Sequence, residues 1–256
     1  THEGHPYERL FFYIAKKYKI KSIGFTTGIF LPLQYGNNRD LKNEFNPDFI
    51  SYQSNLIKLM SNKKIKTKKL IIGNNKIFEN DTFLEKNYQE LNILVLPEGL
   101  FEEEKFFFLK IINFALENKK IKYFVRLHPI SNFKSILKKI GIKELPDNII
   151  LSKHVFFDDI KRCNFALYRG STAIIYAVKY GLIPLYLPKK NEISINPLFQ
   201  LKDNINYINN YENIKNIYTN KKFYENYKPK HKEAIEYCKN YFEKFNIDIV
   251  KEIINE

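Results

Sequence analysis

The sequence predicts an α/β protein built on a doubly wound parallel sheet, and three observations carry that expectation. Its apolar runs are strand-length and continuous, as in "NILVLP" (92–97) and "LIPLYL" (182–187), where a sheet with one wet face would alternate. The runs take turns with segments of helical periodicity, the pattern of right-handed βαβ units. Glycines close two of the helical segments, at Gly141 and Gly181, as a helix stop requires.

The elements follow in order. Residues 7–18 carry apolar side chains at helical spacing, with basic residues gathering at the end, which suits the helix dipole. "SIGFTTG" (22–28) and "DFISYQ" (48–53) read as strands separated by a loop rich in Pro, Gly and Asn. A helix over 54–62 with Ser54 as cap leads to a strand at 68–75, and polar residues 74–90 read as a hinge between two units. Strands then fall at 91–99, 121–129, 148–152, 163–168 and 182–187. Helices intervene at 102–120, 131–141 (capped by Ser131), 155–162 and 171–181. Helices near 210–217, 229–242 and 245–255 finish the chain.

Composition removes several classes of function. At 44% hydrophobic and 27% charged residues the chain matches a folded globular protein. Its two cysteines, Cys163 and Cys238, form no CxxC or Cys/His cluster, which argues against a disulfide framework or structural zinc and fits a reducing, cytoplasmic setting. No apolar run is long enough to cross a membrane, and no signal peptide is visible. The net charge of +14 comes from dispersed lysines without a nucleic-acid-binding signature, so nucleic acid is not an expected partner. A peripheral attraction to anionic membrane or anionic substrates is the milder reading.

In an open parallel sheet, ligands bind at the carboxyl ends of the strands. That rule collects Glu98-Gly99, Arg126-His128-Pro129, Ser152-His154 and Tyr168-Arg169-Gly170-Ser171-Thr172 on one edge. In "YFVRLHPI" (123–130) an apolar strand ends in Arg126, His128 and Pro129, which is either a wet strand end or the lip of a ligand site. In "ALYRGSTAIIYAVKYG" a strand runs into Gly170, with Ser171 and Thr172 at a helix start, where backbone N–H groups and hydroxyls favour an anion. Capping alone explains Ser171 but leaves Thr172 and Arg169-Gly170 unexplained.

"RLHP" at a strand end, followed about forty residues later by a "GST" helix start, resembles the HP and Ser-Ser/Thr motifs of GT-B-fold glycosyltransferases of bacterial surface polysaccharides. These are the sialyltransferases, polysialyltransferases and capsular Kdo transferases. CDP-glycerol glycerophosphotransferases carry a similar "RLHP" and Ser pair, and "HEGHPYERLFF" is similar to a segment of surface-carbohydrate biosynthesis proteins of the same superfamily. The resemblance implies that residues 1–75 end an acceptor-binding domain whose earlier part lies upstream, and that 76–256 form the nucleotide-donor-binding Rossmann-like domain with C-terminal helices. It implies a CMP- or CDP-linked donor, a glycan or lipid-linked glycan acceptor, and His128, Ser171 and Thr172 on the donor phosphate. Glu3, in a departure from the usual acidic-Asp-Gly, would act as general base. Glu98 is the competing base candidate, or else a helix-proximal acid belonging to the run at 102–104. The alternatives are a glycerol- or polyol-phosphate transferase sharing the same phosphate pocket, and a non-catalytic nucleotide- or glycan-binding remnant.

Departure of a nucleoside phosphate develops negative charge on oxygen, which preorganised donors stabilise by several kcal/mol. A histidine can protonate the leaving oxygen, and Arg126 or Arg169 can add charge. No Asp-x-Asp triplet offers a carboxylate pair for Mg²⁺ or Mn²⁺, and no GxxxxGK[ST], GxGxxG or Gly-x-Ser-x-Gly occurs, so no metal or further cofactor is expected. Donor turnover is accordingly expected to survive excess EDTA, and strict dependence on added Mg²⁺ or Mn²⁺ would overturn the motif assignment.

Overall fold

The computed structural model describes residues 2–31, 36–39, 41–74, 86, 88, 91–220 and 222–255. Most of the expected hinge, 74–90, lies outside the described residues. The chain divides into two units, Thr1–Asp81 with Tyr237–Glu256, and Thr82–Glu236.

In the first unit, helix α1 (Pro6–Lys17) precedes the strands β1 (Ile23–Phe25), β2 (Phe49–Tyr52) and β3 (Lys68–Ile71), with α2 (Asn55–Met60) between the last two. The strands pair in parallel in the order β1-β2-β3. Ser54 caps α2 by accepting from Ile57 N at 3.3 Å, as expected. At the entry to α1, one carboxylate oxygen of Glu8 accepts from the backbone N–H of Glu3, Gly4 and His5 at 2.8–2.9 Å, gathering donors that a helix start leaves unpaired.

The second unit holds six strands: β4 (Asn92–Leu96), β5 (Lys122–Val125), β6 (Ile149–Leu151), β7 (Phe165–Tyr168), β8 (Ile183–Tyr186) and β9 (Asn206–Tyr207). All pair in parallel in the order β6-β5-β4-β7-β8-β9. Every residue of β7 and β8 is buried, which explains their unbroken apolar sequences. The helices are α3 (Phe101–Glu117), α4 (Phe133–Lys139), α5 (Phe156–Arg162), α6 (Ala173–Lys179), α7 (Tyr211–Thr219) and α8 (Phe223–Lys239). Helix α3 buries Phe107, Phe108, Ile111 and Phe114 in the core, each worth roughly 1.5–3 kcal/mol relative to exposure. Asn148 donates its amide to Ala115 O and Ile121 O at 3.0 and 2.9 Å, tying the end of α3 to the strand that follows.

Three expectations change. Helix α4 is capped by Asn132, which accepts from Ser135 N, while the Ser131 hydroxyl bonds Glu104 Oε1 instead. Helix α8 begins at Phe223 and continues through Pro229, where the sequence reading started it. The end of the chain, assigned to the second unit, belongs to the first. Glu243 N donates to Gln53 O at 2.9 Å, Asn246 N donates to Ile72 O at 2.8 Å, and Ile253 of α9 (Ile247–Asn255) packs on Phe49 and Ile72. An amphipathic terminal helix shows that it needs an apolar surface, not which one. Both cysteines are free and buried. Among the described residues no helix is long and apolar enough to cross a membrane.

This return depends on Gly73, which has φ of +81° and would place a Cβ 2.3 Å from Lys244 O. Both contacting groups are backbone, so neither can move aside. Gly73→Ala is expected to destabilise the protein by about 2–3 kcal/mol in urea unfolding. A change under about 0.5 kcal/mol would refute the docking of residues 243–246 on the first sheet.

Candidate active site

Strand order reverses between β4 and β7. The chain leaves β4 towards β5 and β6 on one side, and continues through β7 and β8 on the other. Loops after two such strands diverge to opposite faces and leave a crevice at their carboxyl ends. Glu98 follows β4 and Gly170 follows β7, and the carboxylate of Glu98 spans the crevice: its Oε1 accepts from Gly170 N at 2.6 Å.

His128 joins them from the loop after β5. Gly99 has φ of +84°, and a Cβ on it would lie 2.5 Å from His128 Nδ1, so only glycine allows this approach. His128 and Pro129 are exposed, and Pro129 sits second in a turn closed by Ser131 N donating to His128 O at 2.9 Å. Ile130 N donates to His128 Nδ1 at 3.3 Å. With Nδ1 accepting, Nε2 is the ring nitrogen that can donate. The sequence-predicted strand ends thus converge: Glu98, His128 and Gly170 lie at one edge although 72 residues separate the first from the last.

Ser171 and Thr172 follow directly. Thr172 is the N-cap of α6 with αR backbone and no capping bond from its side chain, and Ser171 lies outside the helix. Capping therefore does not account for this pair of hydroxyls.

Both arginines are held by protein partners. Arg169 is buried and its guanidinium pairs with Glu103 Oε2 at 2.7 Å and Glu192 Oε2 at 2.8 Å. Lys189 pairs with Glu192 at 2.5 Å and Glu103 at 3.5 Å, closing a ring of four alternating charges. Arg169 is thus engaged in holding the loop after β8 to the first turn of α3. Arg126 Nη1 donates to Asp159 Oδ2 at 3.0 Å and to His154 O at 2.7 Å, and its guanidinium lies 5.5 Å from the Phe156 ring centre. The buried Asp159 also accepts from the Ser152 hydroxyl at 2.5 Å, so the stretch 154–159 that holds Arg126 is itself tied to the end of β6. In the sequence, Glu103 read only as a dipole-matching acid, and nothing marked Lys189, Glu192 or Asp159.

Glu3 lies in the first unit. Its Oε1 accepts from Thr27 N and Thr27 Oγ1 at 3.1 Å and from Gly28 N at 2.9 Å, which orients the carboxylate on the turn after β1. Glu98 lies ahead of α3, in the loop after β4. Burial pushes its carboxyl up to about 7, with nearby Glu103 adding to the rise, and the Gly170 N–H, Arg169 and Lys189 opposing it. Among the described residues no group of three or more His, Cys, Asp or Glu is placed to hold a metal ion.

No protein-family model and no curated protein matches the sequence. The structure does resemble solved glycosyltransferase-type folds. The rhamnosyltransferase SpnG complexed with spinosyn aglycone aligns over 95% of this chain and 70% of its own, at 9% identity and a TM-score of 0.57. S. aureus MnaA bound to UDP aligns over 94% and 72%, at 14% identity and 0.53. The glycosyltransferase SnogD from Streptomyces nogalater aligns over 81% of this chain, which spans 56% of SnogD, at 9% identity and 0.50. At such identities the likeness is one of fold: the chain has the GT-B-like, Rossmann-type architecture of parallel α/β units.

The raised Glu98 carboxyl has a consequence for stability. A group whose pKa is raised by folding contributes stability that is full below its ordinary value and is lost as pH climbs to the folded one. Glu98→Gln keeps the acceptor for Gly170 N–H but does not titrate. The variant should therefore gain on the wild type in urea unfolding as pH rises from 4.5 to about 7, then hold a constant difference. A difference independent of pH would show that Glu98 is not desolvated in the crevice.

Proposed function

We propose that the protein is a GT-B-type glycosyltransferase that moves a sugar from a nucleotide-sugar donor to a glycan acceptor. The observation that carries this reading is the meeting of Glu98, His128 and Gly170 at the switch point of the second sheet. It is the position where open parallel sheets hold ligands, and two of the three segments bear the motifs whose family counterparts hold a donor phosphate. The UDP of MnaA shows a nucleotide on a similar fold.

In this reading His128 Nε2–H donates to the leaving phosphate, with Ser171, Thr172 and the nearby backbone as further donors. Arg126, anchored by Asp159, contributes charge at the same edge. Arg169 acts indirectly, by fixing the loop after β8. The general base is Glu3. Glu98 is disfavoured as base because it lies beside the phosphate donors, whereas inverting displacement takes its base on the face opposite the leaving group. We propose further, from the motif resemblance, that the donor is a cytidine nucleotide of an ulosonic acid of the sialic or Kdo type. The product would be a surface polysaccharide, made without a metal at the cytoplasmic side of an anionic membrane that the basic surface attracts.

A thermal-shift panel of CMP, CDP, UDP, GDP and their sugars tests the donor, because ligand binding to the native state raises the melting temperature. The cytidine compounds should give the largest shift. Release of CMP with a phosphorus-free product supports sugar transfer, whereas phosphorus in the product indicates a polyol-phosphate transferase. Binding without turnover leaves the remnant.

His128→Ala and Ser171→Ala should each weaken nucleotide binding by about 1–3 kcal/mol with little change in melting temperature. Variants that lose stability but keep affinity would reduce both residues to structural roles. Glu3→Gln should lower kcat by roughly 10²–10⁴-fold while nucleotide affinity holds. An unchanged kcat would remove Glu3 from the chemistry.

A further inference from the structure

We propose that a nucleotide phosphate entering the crevice between β4 and β7 takes up one proton at Glu98, which then binds the phosphate as a carboxylic acid. The inference rests on reading this crevice as the phosphate site. Its basis is that the crevice already contains an anion. Glu98 Oε1 holds the Gly170 N–H at 2.6 Å, and the glycine's open side faces the Glu98 carboxylate at 3.0 Å and Ile195 Cδ1 at 2.7 Å, as measured from a Cβ built there. A phosphate oxygen using the Gly170 N–H must therefore displace this carboxylate or share space with it.

The surrounding charges do not make up for a second anion. The charged groups acting on Glu98 are Glu103 from α3, Arg169 from the loop after β7 and Lys189 from the loop after β8, while His128 packs on the neighbouring Gly99. Arg169 and Lys189 already neutralise Glu103 and Glu192 in the closed ring. Two cations thus stand against three carboxylates once Glu98 is counted, before any phosphate arrives. Protonation relieves the repulsion and turns a competing acceptor into a donor. Burial has already moved this carboxyl up to about 7, so the proton is readily taken from neutral water. The proton comes from solvent and returns to it when the nucleotide leaves.

Isothermal titration with CMP at pH 8, in buffers of different ionisation enthalpy, reads the protons taken up, and a series between pH 7 and 9 reads the affinity. Over that range the CMP phosphate is already largely dianionic, its second pKa lying near 6. The wild type should take up close to one proton at pH 8, with affinity falling less steeply near pH 7 and approaching about tenfold per pH unit above pH 8. Glu98→Gln should show no uptake, a flat profile, and tighter binding than wild type at pH 8. His128→Asn should bind more weakly at every pH yet keep the wild-type slope. Binding by the wild type without uptake overturns the inference and leaves the nucleotide site standing. Uptake that persists in Glu98→Gln, or vanishes in His128→Asn, overturns it in favour of the histidine. Failure of CMP and of UDP to bind at any pH overturns the nucleotide reading and this inference together.

Discussion

The pairing of β4 with β7 joins residues 93–96 to residues 165–168 through buried side chains, and most of the second unit is arranged by it. Both strands are buried on both faces, so each must be followed by a chain that turns away to a different side of the sheet. The divergence creates the crevice, and Glu98 bridges it with one short hydrogen bond. Because β5 pairs on the other side of β4, its end brings His128 alongside Gly99. The location of every candidate group at this edge is a consequence of that one strand order.

The crevice is also where the electrostatics are least ordinary. A carboxyl raised towards neutrality, an exposed histidine and a closed ring of four charges lie at this edge. Ion pairs of this kind, one buried guanidinium with part-exposed partners, contribute little net stability, since desolvation and solvent screening offset most of the attraction. Their value here is positional: the ring fixes the loop after β8 against α3, and Ile195 of that loop closes over Gly170.

The first unit follows a different logic. Its three-stranded sheet is completed by residues from the far end of the chain, and the Gly73 backbone meets the Lys244 backbone closely enough to exclude any side chain. Glu3 and Glu8 each use a single oxygen to collect three donors, one on the turn after β1 and the other at the start of α1. The two glutamates thus tie the approach to α1 to the turn after β1 and to the helix itself.

The sequence by itself determined the fold class and the list of strand-end residues, because both depend on local pattern: continuous apolar runs need two covered faces, and strand ends mark where ligands meet a parallel sheet. It also determined Ser54 as a cap, since a cap depends on residues three apart. It could not determine that Arg169 faces Glu103 and Glu192, that Glu98 reaches Gly170, or that the last helix rejoins the first sheet. Those pairings depend on strand order and on contacts between residues tens or hundreds apart, for which a charged or amphipathic segment specifies the kind of partner but not its identity. Only the tertiary structure decided which carboxylate meets which cation, because long side chains of one charge are interchangeable until the backbone places them.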